Sequence, residues 1–118
     1  MHELGIAEET LTAIQREAAR YPHTRVIRVG LRVGELAGID ILALQFAFDA
    51  ILPGTNCAGM KIEMEFVPRK HRCTECGSEF VVRNYNLSCP HCHSPRTMCV
   101  AGEELDLAFV EIEEYATN

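Results

Sequence analysis

The chain has no tryptophan, and its eight phenylalanines and tyrosines bring aromatics to only 7% of 118 residues. Without aromatics interleaved with basic residues, it lacks a stacking surface for single-stranded nucleic acid. Base is also scarce. Eleven Lys and Arg face seventeen Asp and Glu, for a net charge of −6, the wrong sign for neutralising phosphates. No apolar run approaches the roughly 20 residues of a membrane-spanning helix. The longest, 39–52, is broken by Asp40, Gln45 and Asp49. The first residues lack the basic flank and apolar stretch of a secretory signal. The expectation is a cytoplasmic protein that binds neither membrane nor nucleic acid. Internal repeats, a phosphate loop, an open metal site and a nucleophile paired with a base are also missing, so the chain is not expected to be an enzyme.

What is present divides into two modules. Residues 68–99 carry a charge of +3 and the remainder −9. Four of six cysteines, Cys73, Cys76, Cys89 and Cys92, also lie in that basic segment. Outside it, Leu4, Ala7, Leu11, Ile14 and Ala18 form one stripe at helical spacing, predicting a helix over 3–21 that Pro22 ends. Ile27, Val29, Leu31 and Val33 alternate with polar residues and glycine, as in a strand with one wet face, over 25–33. Asp40 is placed to cap a second helix that runs to Leu52 before Pro53-Gly54. A second strand follows over 60–67. A third starts at Leu105, where the apolar parity slips from Phe109 to Val110 and Ile112; a bulge or a simple change of face accounts for it. These elements predict an α+β fold, two helices on a three-stranded sheet with a metal module inserted. The domain limits expected are 1–67 plus 100–118, and 68–99.

The cysteines form two CxxC pairs, CTECG and CPHCH, twelve residues apart. In a cytoplasmic chain such pairs read as metal ligands rather than disulfides. Four thiolates converging on one ion leave no open position and mark a structural Zn(II) site. The module is too poor in apolar residues to fold without the metal. Gly77 suits the tight turn after the first pair. His71 and His93 flank the cysteines, either as neighbours of the site or as a ligand that replaces a thiolate and confers pH response. Cys57 and Cys99 read as small buried apolar residues.

The chain opens Met-His-Glu. Methionine before a bulky histidine is expected to be retained. The terminal amine, the His2 amide once deprotonated, and His2 Nδ1 then close adjacent chelate rings, with the Glu3 amide as a further nitrogen. Such planar nitrogen donors suit Ni(II) or Cu(II) better than Zn(II). Binding costs amide protons, so affinity rises with pH. The first N–H groups of a helix have no internal partners, so none is lost. Taken alone this motif is weak, and a surface histidine is its simpler reading.

MHE at the start, VGEL at 33–36, FAFDAILPGT at 46–55, CTECG, CPHCHS and AGEELDL together resemble the HypA/HybF family of hydrogenase nickel-insertion proteins, in order and over essentially the full length. The resemblance implies the fold derived above. It implies that Met1, His2 and Glu3 bind nickel as cargo and that the four CxxC cysteines hold structural zinc. It also implies a HypB-type GTPase and the large-subunit precursor of [NiFe] hydrogenase as partners, some members also serving urease maturation. Glu35 and Asp40 occupy family-like positions as accessory candidates for the nickel site, beside His71 and His93 for zinc. One departure stands out: His93 occupies a place where the second knuckle often has glycine, which puts the geometry of that knuckle in question. The rival reading is a zinc-ribbon adaptor for protein or nucleic acid, with MHE incidental.

Overall fold

A computed structural model describes residues 2–115. The elements are α1 (Glu3–Ala18), β1 (Thr24–Gly34), a 3-10 turn (Glu35–Ala37), α2 (Ile41–Ile51), β2 (Lys61–Val67), β3 (Lys70–Cys73), β4 (Glu79–Val81), β5 (Thr97–Ala101) and β6 (Leu105–Glu114). They form two three-stranded sheets, ordered β2-β1-β6 and β4-β3-β5. The fold is α+β, as the sequence predicts. The second sheet, built from the cysteine segment and the two residues after it, is an addition to that expectation.

The chain divides into two compact units: residues 1–31, 39–65 and 106–118, and residues 32–38 with 66–105. In the first, α1 packs on α2. Ile6, Ala7, Leu11 and Ile14 of α1, Leu44, Ala47 and Phe48 of α2, and Val26, Val29 and Leu31 of β1 are buried. The α1 stripe is shorter than predicted. Leu4 is 49% exposed, and the helix stops at Ala18, where Arg20 and Tyr21 N–H groups bond Glu17 and Ala18 oxygens in tighter i−3 geometry. Asp40 caps α2 as its side chain accepts from the Ala43 N–H at 3.1 Å.

The central strand organises its neighbours on the wet face. The Arg28 guanidinium reaches Glu63 of β2 at 2.6 Å and Glu111 of β6 at 2.9 Å. It also lies 4.8 Å from the centre of the Phe109 ring, a cation–π contact. The two carboxylates, Glu63 first, raise the Arg28 pKa. Gly30 leaves room for Phe109: a Cβ there would fall 2.2 Å from the ring. Phe109 and Glu111 both meet Arg28, so Val110 and Ile112 point to the opposite face.

In the second unit, β3 pairs antiparallel with β4 and with β5, with an irregularity in register between Lys70 and His71. The VGEL segment belongs to this unit. Gly34 N–H donates to Glu104 O at 2.6 Å and Leu36 N–H to Gly102 O at 2.7 Å. A Cβ on Gly34 would sit 2.1 Å from the Gly102 oxygen, so glycine is what lets these backbones meet. Glu35, a candidate for the nickel site, accepts the Arg69 N–H through Oε1 at 3.2 Å.

Candidate metal sites

Cys73 ends β3, Cys76 follows it in a turn, and Cys89 and Cys92 lie in the loop between β4 and β5. Their four Sγ atoms all lie within 4.8 Å of one another. Cys73–Cys92 and Cys76–Cys89 approach to 3.5 and 3.6 Å. Four sulfurs at about 2.3 Å from a tetrahedral zinc stand about 3.8 Å apart, so the donor set fits that ion. Cys73 and Cys89 are buried, while Cys76 and Cys92 are exposed.

The two knuckles are built alike. Cys73 N–H donates to Ser78 O and Gly77 N–H to Cys73 O; Cys89 N–H donates to Ser94 O and His93 N–H to Cys89 O. Backbone N–H groups of Cys76 and Cys92 point at the Cys73 and Cys89 sulfurs at 3.4 Å. Both loops need a left-handed residue after the second cysteine. Gly77 supplies it with φ 78°, and His93 supplies it with φ 65°. The second knuckle thus keeps its geometry with a residue for which that conformation is strained. The residues that complete each turn, Ser78 and Ser94, were not singled out from the sequence. The signal was there, as both knuckles read C-x-x-C-x-S.

The Ser78 hydroxyl and N–H favour a thiolate at Cys76 and lower its pKa to about 6. At Cys92 the Ser94 N–H works in the same direction, but hydrogen bonding with the Cys73 sulfur, burial and the remaining thiols drive the pKa up to about 12. Thiols this close resist carrying like charges side by side. A divalent cation removes that resistance.

His71 is not available as a spare ligand. It is buried at 4% exposure. Arg69 Nε donates to its Nε2 at 3.1 Å, so that nitrogen is the acceptor. Nδ1 then carries the proton toward Thr97 Oγ1 at 3.0 Å, and the Thr97 hydroxyl donates to Leu87 O at 2.6 Å. Burial, and then the Arg69 charge, lower its pKa. With both nitrogens engaged, His71 fastens β3 to β5. His93 is exposed, and its backbone conformation is what the knuckle uses. Cys57 is buried at 1% exposure, whereas Cys99 is only half-buried and donates to Ala101 O at 3.2 Å.

At the other candidate site, Met1 lies outside the described residues. His2 is the N-cap of α1, with φ −77° and ψ 142°, and its side chain makes no capping hydrogen bond. Its carbonyl accepts the Ile6 N–H at 3.2 Å. Among the described residues the imidazole thus does not cap the helix, which Glu3 begins. Asp40 is occupied as the cap of α2.

Comparison with known proteins agrees with this architecture. The family model described as "Hydrogenase/urease nickel incorporation, metallochaperone, hypA" matches residues 1–112. The hydrogenase maturation factor HypA of Desulfitobacterium hafniense is 36% identical over 114 residues, 97% of this chain and all of the relative. HypA of Acidithiobacillus ferrooxidans is 35% identical over 96% of this chain and all of its own length. The solution structure of the Ni metallochaperone HypA from Helicobacter pylori superposes with a TM-score of 0.67 at 20% identity, covering 98% of this chain and 100% of that one. The length of the match, the paired knuckles and the shared fold lead to one conclusion: this chain belongs to the HypA family of hydrogenase/urease nickel-incorporation metallochaperones.

Proposed function

We propose that this protein is a cytoplasmic nickel carrier without catalytic turnover. It takes Ni(II) through Met1, His2 and Glu3 and, working with a HypB-type GTPase, hands it to the large-subunit precursor of [NiFe] hydrogenase. The observation that supports this reading is His2 itself, which stands at the N-cap of α1 with its side chain making no capping hydrogen bond among the described residues. The N–H groups there have no helical acceptor, so giving the His2 and Glu3 amides to a metal costs the helix nothing. Each amide that binds nickel releases one proton, and the return of protons on handover loosens the site. Urease maturation is the second client class, named in the family description.

The four cysteines hold zinc structurally, and a filled tetrahedral site activates no water. The adaptor reading finds little support. In the basic segment Lys70 and Arg72 both pair with Glu79, and Arg96 pairs with Glu75, which breaks up any stripe for phosphates. The test is replacement of His2 by Ala in cells that depend on this chain for hydrogenase maturation. Large subunit isolated from them should lack nickel while the variant keeps its zinc; nickel-replete large subunit would remove the proposal.

A further inference from the structure

We propose that the outer face of α2, centred on Leu42 and Phe46, is where a nickel-accepting protein docks, and that the accepting protein presents an apolar patch rimmed by Lys and Arg. This rests on the carrier reading above. Among its eleven residues α2 has only two polar ones, Gln45 and Asp49. A helix apolar on every side belongs in an interior. Its inner face obeys, with Leu44, Ala47 and Phe48 buried, but Leu42 and Phe46 are each 73% exposed. One helical turn apart, they form a continuous ridge rather than scattered apolar residues. Phe46 also lines a recess of about 720 Å³ together with Leu4, Glu3 and His2. A protein seated on the ridge thus covers the residues proposed to hold the cargo.

The charge around the ridge selects its occupant. Glu3 and Glu8 line the same recess, and Asp49 lies one turn beyond Phe46. Residues 1–15 and 33–60 contain no Lys or Arg at all. A second copy pairing through this face about a two-fold axis would set acid against acid. A partner with an apolar centre and a basic rim meets both features, and its charge speeds encounter.

The test follows radioactive nickel from the loaded full chain to purified, nickel-free large-subunit precursor, with the GTPase present. The variants are Leu42→Ser with Phe46→Ser, and Phe46→Gln alone, which keeps the helix should the double change disturb it. Tyr85→Ser, at a residue 91% exposed on the other unit, is the control. Nickel bound per chain should be unchanged, transfer should fall roughly tenfold in the ridge variants but not in the control, and added salt should slow the wild type. Equal transfer by the ridge variants overturns the proposal. So does a dimer that they dissociate, by light scattering, with transfer intact. A wild type that binds nickel but passes none on fails earlier, and it is the carrier reading that falls.

Discussion

His93 holds in the second cysteine knuckle the place Gly77 holds in the first, at φ 65° against 78°, and each donates its N–H to the carbonyl of the first cysteine of its pair. A left-handed conformation costs a side-chain-bearing residue about 1–2 kcal/mol. His93→Gly should therefore stabilise the protein by about 1 kcal/mol, whereas His93→Ala keeps the strain and should not. Thermal unfolding of the zinc-loaded variants checks this; a gain with alanine equal to that with glycine would contradict it.

Two other glycines should respond in opposite directions. Gly34→Ala drives a Cβ to 2.1 Å from the Gly102 oxygen. It should cost about 2 kcal/mol or more, as backbone must yield. Gly5 lies inside α1 with no atom within 4 Å of its would-be Cβ, so Gly5→Ala should add about 0.5–1 kcal/mol through helix propensity. Denaturant midpoints at constant m-value report both.

Removing the zinc proposed for the four cysteines should dissolve one sheet and spare the helices. Of the residues in 68–99, the core holds little apolar side chain beyond Val82, Cys73 and Cys89, so a metal held by the four cysteines supplies the missing stability. Chelation, or Cys92→Ser, should abolish hydrogen-exchange protection at Lys70–Cys73 and Thr97–Ala101 while α1 and α2 stay protected.

Cys57 gives a pH prediction. Burial raises its thiol pKa, so the folded state favours the neutral form. The stabilisation is complete below the ordinary thiol pKa of about 8.5 and is lost as pH rises through the higher folded value. Stability should fall above that ordinary value, less so in Cys57→Ala, and native Cys57 should resist alkylation that labels it at once in denaturant.

Periodicity and punctuation made the main sheet and both helices legible: Asp40 caps where its position before an apolar run says it should, and the CxxC spacing brings four sulfurs together. The second sheet was hidden because β3 and β4 are four and three residues long, too short for alternation to register. Burial of His71 was hidden because its partners, Arg69 and Thr97, are fixed by strand pairing rather than by neighbouring sequence. The exposure of Leu4 and Phe46 was hidden because periodicity locates an apolar face and not whether the chain itself covers it.

The account depends most on the nickel site proposed at the first residues. Calorimetric titration with Ni(II) of the protein bearing a free Met1 amine, against the same chain extended by one glycine, tests it directly. The native start should bind one nickel, more tightly as pH rises, and the extended form should lose that binding with zinc content and helicity unchanged. Equal affinity in the two forms would contradict the account.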